Sequence, residues 1–533
     1  MQGMNAAPRP HRRLGPAAAS PESVAEIVAL LPADFRRRDL LIENLHALQD
    51  RFGGLFRRHL AALAEEMRLA PAEVQEVASF YAHFGLAGDG ETVPGAVVRR
   101  CTGPACAMRP LDLGNLPAGV AVEDAPCMGL CDHAPAALAG KVPVRGADAA
   151  KVAAALGPAG APAMPAEYSY PVLARCLSGE LPRDAVLAEL DKAGLRGMGG
   201  AGFPTARKWR SVAAQDGPRL VVVNADEGEP GTFKDRWFLE TAAARVLEGA
   251  LIAAWAVEAD EVYLYLRDEY ADLHRILRGM VAQLPGAVPV HLRRGAGAYV
   301  CGEESALIES LEGKRGYPRQ RPPYVAEVGL FGRPTLVNNV ETLYWVGRIL
   351  AEGAELFTNE GRNGHKGLRT YSVSGRVKEP GVKIAPNGIT ITELIEEFCG
   401  GMEDGHVLAA YLPGGASGGF LPARLTPPLA FGAIEEHGGF IGSAAVVVFS
   451  QADDLRAAAL GLARFFAHES CGQCTPCRVG TAKSVDLLAR PAWDRDLLSD
   501  LADVMRDASI CGLGQAAPNV WQSLLRHFPE VVK

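Results

Sequence analysis

Between Gly194 and Trp209 the chain reads GLRGMGGAGFPTARKW. Gly197, Gly199, Gly200 and Gly202, with only Ala201 between the last two, leave almost no Cβ to block a ligand, and glycines tolerate positive φ. Their N–H groups form an anion-binding nest, reinforced by a helix starting at about Pro204 with Arg207 and Lys208 in its first turn. The next motif, Val221 to Arg236, reads VVVNADEGEPGTFKDR. Its β-branched start, ending at Asn224, predicts a buried parallel strand. The loop after it carries Asp226, Glu227 and Glu229. Ligands in open α/β sheets lie outside the carboxyl ends of the strands. A phosphate cradle therefore faces carboxylates that accept hydrogen bonds from ribose hydroxyls or a heterocycle N–H. That is chemistry for a nucleotide-like cofactor.

At 533 residues the chain has room for three or four domains. Its hydrophobic fraction of 48% is that of a globular chain, and its net charge of −8 points away from nucleic acid. No stretch reaches the ~18 uninterrupted apolar residues of a membrane helix. The most apolar one, Val246 to Val257, contains Glu248. The eleven cysteines fall mostly in closely spaced sets, which predicts metal clusters in a reducing compartment, the cytoplasm, rather than a disulfide framework. Residues 1–20 are rich in Ala, Pro and Arg without an apolar core. They read as a disordered leader, not a secretory signal.

Residues 21–157 read as one N-terminal domain, opening with helices. Ser20 is a good N-cap for Pro21 and Glu22, and Leu40, Leu41, Leu45, Leu48 and Phe52 recur at helical spacing. Further helices are expected at about Leu55–Arg68 and Pro71–Phe84. AVVRRC (96–101) reads as a strand, and a short helix ends near 153–160. The Pro/Gly/Ala stretch 158–165 is a linker. Over 166–350, strands at 219–224, 261–266 and 289–293 alternate with helices such as 239–257, the pattern of a parallel sheet. Over 351–450, strands at 371–377, 407–413 and 444–450 join through Gly-rich turns, with LPGGASGGFLPA (412–423) expected as the most exposed loop. Residues 453–533 read as a helical bundle.

Cys471, Cys474 and Cys477 have C-x2-C-x2-C spacing, with Cys511 far downstream. Three thiolates on one tight loop plus a distant fourth suit a [4Fe-4S] cubane; a structural zinc site is the alternative. Cys101 and Cys106, then Cys127 and Cys131, form two close pairs separated by 20 residues. They suit a [2Fe-2S] cluster, with an empty site as the alternative. Cys176, Cys301 and Cys399 read as packed thiols.

Four long segments carry a resemblance: GLRGMGGAGFPTARKW, NADEGEPGTFKDR, GAGAYVCGEESALIESLEGKRGYPR (295–319) and ESCGQCTPCRVG (469–480). They resemble, in order, the NADH-oxidising or NAD-reducing flavoprotein family. This family includes the NADH-binding subunit of complex I, hydrogenase diaphorases and the β subunit of NAD-dependent formate dehydrogenases. EVQEVASFYAHF (73–84) and CTGPAC (101–106) resemble the thioredoxin-like [2Fe-2S] partner of that flavoprotein, here fused to it. The resemblance implies a multidomain α/β fold: a helical plus thioredoxin-like domain, a Rossmann-like FMN/NAD domain, a small ubiquitin-like (SLBB-type) domain and a helical [4Fe-4S] domain. It implies FMN on the glycine loop and NAD(H) stacked on the flavin. Phe203, Glu229, Arg321 and Tyr324 would flank the dinucleotide, with Tyr299, Gly302, Glu303 and Glu304 lining the cleft. Asn338, Asn339 and Thr342 would contact the flavin and its phosphate. Met198 stands where the family often has Arg. No side chain need act as a general acid or base, because hydride passes directly between nicotinamide and flavin. The sequence holds no site for a molybdenum or tungsten pterin, nickel–iron or quinone. A separate large catalytic subunit is therefore expected, by resemblance that of a formate dehydrogenase with a Mo/W-pterin and iron–sulfur clusters. The features behind this preference are the 412–423 loop and the lack of a C-terminal ferredoxin extension. Hydrogenase diaphorase and complex I subunit are the alternatives.

Overall fold

A computed structural model describes residues 18–532 other than 115, 158, 159, 161 and 287. The expected leader falls almost wholly outside the described residues, and the 158–165 linker partly so.

Four N-terminal helices, Pro21–Leu30, Leu41–Phe52, Arg57–Met67 and Pro71–Phe80, pack around Ile27, Leu41, Leu45, Leu48 and Val74. Ser20 caps the first, its Oγ accepting from Ser23 N at 3.1 Å. The last helix stops four residues short of the expected Phe84 because the chain turns extended at Tyr81. There Ala82 N and His83 N donate to Gly297 O and Ala296 O at 3.2 and 3.1 Å. The backbone groups a helix would have used internally instead dock this bundle onto the central domain.

A four-stranded sheet follows, in the order Val120–Ala125, Ala96–Cys101, Ala137–Ala139, Val142–Val144. Its first pair is parallel and the others antiparallel. Among the described residues, the only helix joining the parallel strands is Pro104–Ala107. The residues between the two cysteine pairs thus hold little more than the strand Val120–Ala125, the Pro104–Ala107 helix being a single turn.

The central sheet is fully parallel, ordered Thr335–Asn339, Arg219–Ala225, Ala259–Leu266, Val290–Arg294. Leu220 and Val222 face one core, with Leu307 and Ile308, while Val221 and Val223 face another, with Leu251 and Ile252. Both faces are covered, which explains the unbroken apolar run. The Thr335–Asn339 strand was not expected from the sequence. The expected helix 239–257 is two, Lys234–Thr241 and Ala243–Val257, broken at Ala242. Fully buried Glu248 is explained by three donors, Val172 N (2.8 Å), Leu173 N (3.1 Å) and Tyr168 OH (2.7 Å). Cys176, Cys301 and Cys399 are buried.

The third sheet runs Gly381–Pro386, Leu368–Gly375, Ala445–Ser450, Leu408–Leu412, Leu421–Pro422. Its loop 412–423, expected to be exposed, is almost entirely buried. Phe420 N donates to Ser523 Oγ at 2.8 Å, and Asn519 Nδ2 donates to Ser417 O at 2.9 Å. Small residues let this loop wedge between the central domain and the final bundle of Leu455–Glu469, Thr475–Leu488, Arg495–Ala508 and Asn519–His527. No helix among the described residues is long and apolar enough to cross a membrane.

Candidate functional site

The glycine loop sits at the carboxyl end of the central sheet. Gly200 and Gly202 have φ of +123° and +63°. A Cβ on Gly202 would lie 2.9 Å from the Phe431 ring, and one on Gly199 3.1 Å from Asn339 Cβ. Gly202 is therefore required by packing as well as by backbone angle, Gly200 by its angle and Gly199 by the close approach of Asn339. Gly197 N donates to Phe203 O at 2.8 Å and Met198 N to Thr342 Oγ1 at 2.9 Å. The Thr205–Ala213 helix follows, with no side chain capping its first N–H groups. Ala201 is exposed at the crest.

The carboxylate loop divides into residues that hold the structure and residues that face the opening. Glu227 belongs to the first group. It accepts from Asp235 N (2.7 Å), Arg236 N (3.1 Å) and Tyr270 OH (2.8 Å), and burial together with nearby Asp235 pushes its carboxyl up to about 7. Glu303 caps the Glu304–Leu311 helix through Ser305 N and Ala306 N, both at 3.0 Å, and pairs with Arg321. Asn338 Oδ1 accepts from Trp209 Nε1 at 2.9 Å. Asn339 accepts from Glu341 N at 3.0 Å and donates to Asp235 at 2.6 Å. Asn224 joins the loops, donating to Gly302 O at 2.9 Å and accepting from Asp226 N at 3.1 Å.

The second group is less tied to helix starts, and its members range from an unpaired oxygen to ion-paired and hydrogen-bonded side chains. Asp226 Oδ2 is buried without a partner. Burial holds that carboxyl well above its usual range, opposed by Arg267. Lys208 Nζ lies 3.1 Å from Glu304, which also faces Arg321 at 3.4 Å. Burial would raise the Glu304 carboxyl, but these two cations outweigh it and leave it lowered. Phe203 and Tyr324 are 45% and 54% exposed, so neither is a core aromatic. Glu229 accepts from Tyr299 OH, from Ser417 N at 2.8 Å and from Ser417 Oγ at 3.2 Å. A Cβ-free cradle, an orphaned buried carboxylate oxygen and a nearby lysine fit a flavin mononucleotide.

Cys471, Cys474, Cys477 and Cys511 line one small cavity with Val300, Pro318 and Ser470, so the fourth thiol does reach the tight loop. Cys101, Cys106, Cys127 and Cys131 are all buried, with Cys127 and Cys131 Sγ atoms 3.2 Å apart. Cys101 and Cys106 share one buried cluster, and Cys127 and Cys131 share another. The second pair's loop is pinned to the flavin-side loop. Arg236 donates to Gly129 O (2.9 Å) and to both Asp132 oxygens (2.7 Å each), and Arg267 donates to Cys127 O (2.9 Å). Both thiol sets have the count an iron–sulfur cluster needs.

Four family profiles match in sequence. They are described as thioredoxin-like [2Fe-2S] ferredoxin (residues 24–113), Nuo51 FMN-binding domain (190–348), SLBB domain (370–421) and NADH-ubiquinone oxidoreductase-F iron-sulfur binding region (457–533). A subunit of the NADH-quinone oxidoreductase of Aquifex aeolicus is 40% identical over 380 residues, 68% of this chain and 88% of that protein. The chain belongs to the NADH-binding flavoprotein family of the complex I 51 kDa subunit. The mitochondrial 51 kDa subunit of NADH-ubiquinone oxidoreductase from Neurospora crassa is 39% identical over 376 residues, 65% of this chain and 76% of that one. A crystal structure of an NAD+-reducing [NiFe]-hydrogenase in the air-oxidized state aligns with TM-score 0.78 and 35% identity, over 94% of both chains. This member of the 51 kDa family is an NADH-binding electron-transfer subunit that uses FMN and both kinds of iron–sulfur cluster. Sequence reasoning missed Ser417, Tyr270, Arg236 and Arg267 as partners of the site. The one available signal was Ser417 itself, the only hydroxyl in Gly414–Gly419 (GGASGG).

Proposed function

We propose that this chain is the diaphorase subunit of a cytoplasmic, NAD-dependent multi-subunit oxidoreductase, with formate oxidised or carbon dioxide reduced on a separate Mo/W-pterin subunit. The observation that supports the diaphorase reading is the glycine cradle, carrying exposed Phe203, packed against Asn339 beside the strand end that leads to the unpaired Asp226 oxygen. FMN bound there supplies the exchange between two-electron and one-electron transfer. Gly197, Gly199, Gly200 and Gly202 admit its phosphate and Lys208 balances the charge. Asp226, Asn224 and Gly302 hold the ring side of the cleft. Phe203 and Tyr324 offer apolar faces to the dinucleotide, and Glu229, Glu304 and Arg321 orient its ribose and phosphates. Cys471, Cys474, Cys477 and Cys511 hold the [4Fe-4S] cluster, and Cys101, Cys106, Cys127 and Cys131 the [2Fe-2S] cluster. Hydrogenase partnership is the second reading. It is favoured by the alignment with the NAD+-reducing hydrogenase over 94% of both chains, N-terminal module included. Affinity purification of the native complex with metal analysis separates them. Molybdenum or tungsten in the co-purifying large subunit supports formate, and nickel overturns it.

A further inference from the structure

Glu229 is the carboxylate proposed above to meet the nucleotide ribose, yet two of the three hydrogen bonds that fix it come from the domain of the third sheet. Its carboxylate accepts from Tyr299 OH, from Ser417 N at 2.8 Å and from Ser417 Oγ at 3.2 Å. Ser417 belongs to the third sheet's loop, far along the chain. A Cβ on Gly415 (φ +74°) would stand 2.8 Å from Glu229 Cγ, so the loop lies flush against the side chain. The loop is anchored in turn to the cluster-bearing bundle, where Asn519 Nδ2 donates to Ser417 O at 2.9 Å. Tyr299 is anchored there too, its N–H donating to Glu469 at 2.8 Å and its ring packing 5.0 Å from that of Phe465. Burial pushes the Glu229 carboxyl up, and the Tyr299 and Ser417 hydrogen bonds oppose that push. An unanchored glutamate samples several rotamers. This one is held in a single pose by donors from two directions.

We propose that Ser417 is a specificity-determining positioning residue, which aims the Glu229 carboxylate at the 2′ position of the bound dinucleotide and so excludes a 2′-phosphate. The inference rests on the NAD(H) site proposed above. A carboxylate at a ribose 2′-hydroxyl favours the unphosphorylated nucleotide, but only while its position is fixed. Loss of the hydroxyl leaves Glu229 Oε2 held by Tyr299 alone and Oε1 by Ser417 N, and the like-charge repulsion relaxes as the less firmly held carboxylate shifts.

The test uses the full chain loaded with FMN. Binding of the unreactive probes ADP-ribose and its 2′-phosphate is measured by calorimetry, alongside kcat and KM for NADH and NADPH with ferricyanide. In Ser417→Ala the preference for ADP-ribose over its 2′-phosphate should narrow about 5-fold, the size expected for losing one ordinary net hydrogen bond. KM for NADH should rise more than kcat falls. Ser417→Thr, which keeps the hydroxyl, should restore the preference. Ser417→Gly, native-like in a glycine-rich loop, should repeat the alanine result if alanine perturbs folding. Glu229→Gln is the reference. If it narrows the preference while Ser417→Ala and Ser417→Gly do not, the positioning role is refuted and the site stands. If Glu229→Gln changes nothing, the nucleotide reading of Glu229 fails, and the inference with it.

Discussion

Arg236, together with Arg267, pins the N-terminal module to the flavin-side loop. It is 3% exposed. Its guanidinium donates to Gly129 O at 2.9 Å, to both Asp132 oxygens at 2.7 Å and to Glu240 at 2.9 Å. Two of these partners flank Cys131. Arg236→Ala leaves Asp132 without the Nη2 donor shared by its two oxygens and Gly129 O without a donor. Breaking a buried ion pair from one side costs about 3–5 kcal/mol. The Asp132 side chain is still 13% exposed, so water recovers part of the loss and about 3 kcal/mol is expected. Global unfolding of a multidomain chain is not two-state, so local opening is the better observable. Amide hydrogen exchange across residues 127–133 should accelerate roughly 100-fold. Arg236→Lys keeps the charge but not the planar fork and should fall between the two. Exchange in Arg236→Ala within about twofold of wild type, less than ~0.5 kcal/mol, would show that the module is held by its apolar contacts and that the fork adds nothing.

Glu227 gives a pH signature. Its buried carboxyl is raised to about 7 from an ordinary 4.5. The folded state therefore binds the proton more tightly than the unfolded chain, and stability falls as pH rises from about 4.5 through 7. Glu227→Gln should flatten that slope in FMN-free protein, read from amide-exchange protection of the Lys234–Thr241 helix at stepped pH, on the order of 3 kcal/mol across the window; an unchanged slope would assign it to other groups. Cys127→Ser should abolish or sharply alter the rhombic EPR signal of the reduced [2Fe-2S] cluster in the anaerobic full chain, with the [4Fe-4S] signal retained. An unaltered spectrum would remove Cys127 from the ligand set.

The glycine loop, the VVVN strand and both cysteine sets were legible because each is a local requirement. Positive φ, a two-sided apolar strand and close thiol pairs all write themselves into neighbouring residues. The Thr335–Asn339 strand was not, since Asn338 and Asn339 end it with polar groups recruited by Trp209 and Asp235 from distant elements. Glu227 and Glu303 read as ligand-facing carboxylates, but the structure turns both to backbone N–H groups at helix starts. The 412–423 loop misled most. Glycine and serine suggest an exposed turn, but here they allow close approach, and only the tertiary contact with Glu229 and Asn519 reveals it.

A working NADH-to-flavin site on this chain is open to direct measurement, by anaerobic titration of the full chain, reconstituted with one FMN and followed by flavin absorbance. NADH should bleach the flavin stoichiometrically, and NADPH should do so at least ~10-fold less efficiently, about 1.4 kcal/mol of discrimination. Stoichiometric FMN that NADH fails to bleach would contradict the assignment.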